Sequence, residues 1–345
     1  MDQPSPDNTP RPTRRKRYSG KNPRRFEDKY KEHQGDAETM SKVMASGKTP
    51  AGTHLPVLLP ETLKALRLRP GHTVADCTLG YGGHAEALLS AVQPGGRLIA
   101  LDVDPLELPR TESRLRALGH PPESLSVHRS NFAGLPKVLA GLGLLGVDAL
   151  LADLGVSSMQ IDNPARGFSF KSEGPLDMRL NPERGAPASA LLASANPDKV
   201  EHWLAGHADE PRAALLARHL AGKQFATTGS LTEALRELTP DPEEAELTIR
   251  RVFQALRIAV NDEFSALDSL LRQLPQILLP GGRAAILTFH SGEDRRVKQA
   301  FAAGLKDGTW SEVSDQVIRA GPEEQHNNPR STSAKLRWAV RTSGY

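Results

Sequence analysis

One cysteine, Cys77, occurs in 345 residues. A disulfide framework within the chain and a cysteine-rich metal site are thereby excluded, and a reducing compartment is the expectation. No apolar run approaches the ~18 residues of a membrane helix, and the N-terminus lacks the apolar stretch of a signal peptide. A cytoplasmic protein without membrane attachment is expected. No His/Cys/Asp cluster has metal-ligand spacing, and no serine sits in a nucleophile elbow. An excess of one sign of charge is nearly absent too, with a net value of +3, but the charge is unevenly spread. Ten Lys/Arg and two acids lie between Arg11 and Lys31. Residues 1–50 are rich in Pro, Lys, Arg, Asn and Gln without apolar periodicity, so a disordered basic tail is expected there. Tyr18, Phe26 and Tyr30 interleave with its charges. The tail suits either plain solvation or contact with RNA phosphates and bases.

What is present begins near His54. Short apolar strands alternate with helices: strands at 73–78, 97–101, 125–128 and 147–152, and helices at 61–66, 85–91, 106–118 and 134–142. That alternation predicts an α/β, doubly wound, mainly parallel sheet. The rhythm stops after Asp153. Residues 161–187 read as loop, and five helical pieces between Ala188 and Asp262 read as an insertion. The rhythm resumes with a helix at 264–279, a Pro280-Gly281-Gly282 turn, a fifth strand at 283–289 and a helix to about Leu305. Lys335–Arg341 reads as an edge strand. The domain reading is a tail (1–50), a first sheet part (51–160), a loop with helical insertion (161–262) and a second sheet part (263–345).

The chemistry concentrates at strand ends. Gly80-x-Gly82 after the first strand allows close backbone approach to a ligand, and Gly83 and His84 follow directly. Asp102 closes the second strand twenty residues past Gly82 and is placed to accept from ribose hydroxyls. Glycine spacing alone admits both NAD and S-adenosylmethionine. Asp76, four residues before Gly80, favours a cofactor carrying a sulfonium and an amine over a pyrophosphate, and His84 is bulky for a phosphate-binding helix start. Phe132, after the third strand, suits a flat ring or the core. Asp104 reads as a cap for a helix opening at Pro105.

Asp153 closes the fourth strand, where open α/β sheets bind ligands, and is the candidate catalytic acid. Gln160 follows it. The loop carries Phe168 and Phe170, able to stack on a base, and Asp177 and Arg179, which either face substrate or pair with each other. Such loops are commonly lids or binding loops. Arg250, Gln254 and Arg257 share one helical face suited to phosphate or to salt bridges with Glu243, Glu244 and Glu246. His290 closes the fifth strand, and Ser291-x-x-Asp294 has the spacing of a capping box.

These runs resemble the bacterial ribosomal RNA small subunit methyltransferase H family. The carriers are HLPVLLPE (54–61), DCTLGYGGH (76–84), LDVDP (101–105), DLGVSSMQID (153–162), GFSF (167–170), GPLDMR (174–179), VFQALRIAVN (252–261), FHSGEDRRVK (289–298) and NPRSTSAKLR (328–337). The resemblance implies a Rossmann-like class I methyltransferase sheet with a substrate-recognising insertion between strands four and five. It implies S-adenosylmethionine as cofactor, N4 of a cytosine in 16S rRNA as target, and the rRNA or small ribosomal subunit as partner. It implies cofactor contacts at Gly82, Gly83, His84, Asp102, Phe132, Asp153 and Gln160. Gly80 joins that set on spacing, and Phe168, Phe170, Asp177, Arg179, Arg257 and His290 form the candidate substrate side. The family usually has leucine where Gly292 stands. The rivals are an NAD-dependent dehydrogenase on the same sheet and a non-catalytic RNA-binding protein. Oligomeric state is open.

Overall fold

The stretch Val147–Asp153 shows why a sheet forms here. Leu150 and Ala152 are buried in one core cluster, Ala149 and Leu151 in another. A strand that is apolar on both faces needs helices on both sides, as in a parallel sheet. The computed structural model describes residues 56–343, so the basic tail expected at 1–50 and the start of order at His54 lie outside the described residues. Within them the strands are β1 (Thr73–Asp76), β2 (Arg97–Asp102), β3 (Leu125–Arg129), β4 (Val147–Asp153), β5 (Leu278–Thr288), β6 (Trp310–Val313) and β7 (Lys335–Arg341). Their order is β3-β2-β1-β4-β5-β7-β6. The first five pair in parallel, and β7 runs antiparallel between β5 and β6.

Helices α1 (Leu59–Leu66), α2 (Gly83–Ala91) and α3 (Leu108–Arg116) cover one face of the sheet. The other face is covered by α4 (Leu135–Gly141), α11 (Glu263–Ile277) and α12 (Ser291–Lys306). Between β4 and α11 come α5 (Ser158–Asp162), α6 (Ala188–Ser194), α7 (Pro197–Ala208), α8 (Ala213–Leu220), α9 (Thr228–Leu238) and α10 (Pro242–Asn261). A last short helix, α13, spans Pro322–Asn327.

The insertion has its own core, built from α6 to α10 together with Leu176 and Met178 of the preceding loop. Its longest member is α10. Ala245, Ile249, Val252, Phe253, Leu256 and other buried residues recur at helical spacing along it, so one stripe faces its neighbours. Asp241 caps it by accepting from the Glu244 N–H at 2.8 Å, with Pro242 at the first position. Asp262, in the left-handed region at φ 50°, stops α10 and starts α11. Each residue sealed fully into such a core contributes roughly 1.5–3 kcal/mol.

The structure corrects several readings. Lys335–Arg341 is a strand but is not the edge, because β6 lies outside it. Neither β6 nor α13 was expected, since each is short and mostly polar. Pro280-Gly281-Gly282 does not end a turn ahead of the fifth strand. It lies inside β5, which starts at Leu278 and shifts register against β4 there. The loop read at 161–187 loses its first residues to α5, which ends at Asp162, and to a 3-10 turn at Pro164–Arg166.

Candidate functional site

Three neighbouring strands end on acids: Asp76 on β1, Asp102 on β2 and Asp153 on β4. The sheet winds one way from β1 to β2 and the other way from β1 to β4, so the crevice at their carboxyl ends is a topological switch point.

The glycine loop after β1 is tied into this edge. The Gly80 N–H donates to Asp102 Oδ2 at 2.7 Å, and the Asp104 N–H donates to Oδ1 at 2.9 Å. Gly80 and Gly82 have φ of 48° and 74°, a region costly for residues with a Cβ. A Cβ on Gly82 would also lie 2.8 Å from Thr111 Cγ2. Packing against α3 thus demands glycine at 82 independently of any ligand. Gly83 lies under Pro56, 2.6 Å from where a Cβ would stand.

Asp76 is buried. Its Oδ1 accepts from the Thr78 N–H at 3.0 Å, while its Oδ2 is buried with no partner among the described residues. Burial lifts its pKa to about 6, against the pull of the Thr78 N–H and His84 and with added repulsion from Asp153 and Asp102. Burial likewise pushes Asp102 above the usual carboxylate range, opposed by the N–H groups of Asp104 and Gly80. Asp153 receives support from β1. Its N–H donates to Thr78 Oγ1 at 2.7 Å, and its Oδ1 is also buried without a partner.

His84 stands between these acids. Nε2 lies 3.0 Å from the Val57 carbonyl, so that nitrogen carries a proton, and Nδ1 lies 3.4 Å from Asp153 Oδ2. Burial disfavours charge on the ring, but the hydrogen bond and charge of Asp153, with Asp76, outweigh it and hold the pKa above the ordinary histidine value. His84 is therefore a brace for Asp153. The buried Asp76 and the half-buried Asp153 beside the glycine loop oppose a pyrophosphate and suit a cationic ligand. The unpartnered Asp76 Oδ2, with the Asp102 carboxylate at the end of β2, fits the amine, sulfonium and ribose of S-adenosylmethionine.

A second network joins this edge to the loop beyond. Asp104 Oδ2 accepts from Gln160 Nε2 and from Arg166 Nη1, both at 2.8 Å, and Asp104 and Arg166 are buried. Arg166 Nη2 also donates to the carbonyls of Arg179 and Leu180. The Leu180 N–H donates to Asn261 Oδ1, and Asn261 Nδ2 donates to the Met178 carbonyl. The end of β2 is thereby linked to the loop and to the end of α10. Gln160 has both polar ends engaged, since its Oε1 accepts from the Ser157 N–H in a capping box. Asp104 caps the turn before α3 through the Leu106 N–H at 2.9 Å, and the helix opens at Leu108 rather than at Pro105.

The remaining site residues fall in different places. Phe132 opens a 3-10 turn after β3 and is partly buried against the sheet core. Phe168 lies beneath Arg166, 5.8 Å from its guanidinium carbon. Both rings pack against the insertion core, and Phe170 also lies edge-on to Phe253 at 5.6 Å. The two rings do not form one sandwich. Asp177 and Arg179 pair with each other at 2.7 Å. Arg257 is held by both oxygens of Glu263, Arg250 by Glu246 and Arg251 by Glu210, while Gln254 donates to the His207 carbonyl. The α10 face read as a phosphate surface is thus largely committed to internal partners.

His290 precedes α12, but the capping box read at Ser291-x-x-Asp294 is not formed. His290 itself is the cap: its Nδ1 faces the Glu293 N–H, its Nε2 lies 3.1 Å from Glu293 Oε1, and Glu293 Oε2 accepts from the Phe289 N–H. Asp294 turns to Arg337 and Lys335 instead. Sequence reasoning missed Thr78 and Arg166. Thr78 lies two residues past the β1 acid, a detectable signal. Arg166 meets Asp104 from 62 residues away, a separation that leaves no pattern.

A family model described as the MraW methylase family matches residues 51–342. Ribosomal RNA small subunit methyltransferase H 1 of Lachnoclostridium phytofermentans is 45% identical over 352 residues, covering 98% of this chain and 96% of that one. Ribosomal RNA small subunit methyltransferase H 2 of Alkaliphilus metalliredigens is 45% identical over 95% of this chain and 97% of its own length. The enzyme of that name from Thioalkalivibrio sulfidiphilus is 41% identical over 86% and 99%.

Proposed function

That the chain belongs to the MraW methylase family is the premise from which we propose its reaction: methyl transfer from S-adenosylmethionine to the exocyclic N4 of a cytosine in 16S rRNA. The curated relatives carry the name ribosomal RNA small subunit methyltransferase H, which supports the substrate. The observation that carries the reading of the site is the pair of buried, unpartnered oxygens, Asp76 Oδ2 and Asp153 Oδ1, at the switch point.

When bound, S-adenosylmethionine supplies an electrophilic methyl group on a positively charged sulfur. Asp102 keeps lone pairs for the ribose hydroxyls, because each of its oxygens accepts one backbone N–H. Asp76 offers its free oxygen to the cationic part of the cofactor. Gly80, Gly82 and Gly83 hold the loop against α3 and Pro56. Asp153 acts toward the substrate. Cytosine N4 is a poor nucleophile because its lone pair is delocalised into the ring. Asp153 Oδ1 accepts a hydrogen bond from that amine and stabilises the positive charge that develops on it. The cationic amine then passes one proton to the Asp153 carboxylate, which releases it to solvent. His84 and Thr78 keep the carboxylate aimed, so the contribution of the protein is mainly orientation.

The base must leave its stack, at roughly a few kcal/mol. Phe168 is the candidate face for it, and Asp177 and Arg179 shape the loop around it. The test is mass spectrometry of rRNA nucleosides from cells lacking the protein. N4-methylated cytidine should be lost from 16S rRNA and return with the gene. An unchanged level would refute the substrate.

A further inference from the structure

The insertion contains a cleft of about 650 Å³ that the transfer chemistry does not use. Phe170 and Lys171 line one side, and Arg236, Pro240 and Ile249 line the other, from α9, the turn after it and α10. Two features distinguish it. Among the described residues neither the Lys171 ammonium nor the Arg236 guanidinium has a carboxylate partner, whereas Arg179, Arg212, Arg250, Arg251 and Arg257 each have one. Glu246, also at the rim, is taken up by Arg250. The Phe170 ring is held on one side by Phe253 at an interplanar angle of 74°, so it meets a ligand already ordered.

The segment is also fixed from behind. The Gly174 N–H donates to Thr228 Oγ1 at 3.2 Å, and Thr228 Oγ1 donates to the Ser172 carbonyl at 2.9 Å. An aromatic face, an apolar floor and two unneutralised cations together match one nucleotide: a base to stack and phosphates to neutralise.

We propose that this cleft binds a nucleotide of single-stranded RNA next to the target base, with Phe170 stacking on its base and Lys171 and Arg236 holding its phosphates. This rests on the rRNA reading above and deepens it. It moves Phe170 from the target base to a neighbour and leaves Phe168 at the transfer site. Holding a flanking nucleotide in the insertion helps keep the target base out of its stack.

The test is binding of a single-stranded rRNA fragment to the full chain over a range of salt, alongside calorimetry with S-adenosylmethionine. The double variant Lys171→Ala/Arg236→Ala should lower the log–log salt slope by about 1.4, at about 0.7 per phosphate contact on a single strand. Cofactor binding should not change. Phe170→Leu, which keeps the packing on Phe253, should weaken binding while leaving the salt slope intact. The control is Arg272→Ala/Lys306→Ala, which removes two exposed cations from α11 and α12. A slope change no larger than the control's overturns the cleft while leaving the proposed function standing. A wild-type protein that neither binds nor methylates the fragment overturns both.

Discussion

Asp76 holds a charge where the protein alone gives it little support. Its pKa rises from the ordinary 3.8 to about 6, a difference worth about 3 kcal/mol. An acid shifted upward is more easily protonated folded than unfolded. Its favourable contribution is full below pH 4 and fades as pH rises through 6. Asp76→Asn should therefore unfold at higher denaturant than wild type at pH 8, by up to about 3 kcal/mol, with the gap closing toward pH 4. The same variant should bind S-adenosylmethionine more weakly. Chemical denaturation at the two pH values, with calorimetry, reads both effects, and equal stabilities at pH 8 would contradict the burial argument. Asp153 should behave differently: Asp153→Ala should leave the fold intact and lower methyl transfer by about 10²–10³-fold, the scale of one lost charge-stabilising group. His84→Ala should give a smaller loss, visible in single-turnover rates, because it removes a brace and not the acceptor.

At the scale of elements, the telling contacts join pieces far apart in the chain. Arg166 ties the loop after α5 to Asp104 beyond β2. Arg166→Ala leaves Asp104 buried without its counter-charge, though still held by Gln160 and the Leu106 N–H, so it should destabilise by about 3–5 kcal/mol. Arg166→Lys keeps the charge but loses the fork that reaches Asp104 and two carbonyls at once, and thermal melts should place it between wild type and alanine. A second contact fixes the residue at the start of α12. A Cβ on Gly292 would lie 2.6 Å from Phe264 Cζ. Phe264 in turn lies under Arg296, 3.7 Å from its guanidinium carbon. Gly292→Leu should destabilise by about 1–3 kcal/mol, and adding Phe264→Ala should recover part of that, a coupling a double-mutant cycle measures.

Over the whole molecule, the parallel half of the sheet was legible because β1, β2 and β4 are apolar runs closed by acids and β3 alternates Leu125 and Val127 with polar residues. The insertion helices were legible because their apolar residues recur at helical spacing and Pro or Gly separates them. The antiparallel edge was not, since the four-residue β6 offers the core only Trp310 and a partly buried Val313. The acids at the carboxyl ends of β1, β2 and β4 were readable one by one. Their sharing of a crevice depends on the strand order, and the different settings of Phe168 beside Arg166 and Phe170 beside Phe253 depend on contacts distant in the chain. Among the described residues no helix is long and apolar enough to cross a membrane, and no His/Cys/Asp/Glu group could hold a metal ion. The central claim is that Asp153 directs a methyl group onto a cytosine amine of small-subunit rRNA. It is tested most directly by incubating wild type and Asp153→Ala with that rRNA and methyl-labelled S-adenosylmethionine, then separating the nucleosides. The account predicts label in N4-methylcytidine with wild type and at most about a hundredth of it with the variant. Label on another nucleoside, or an undiminished signal from the variant, would contradict it.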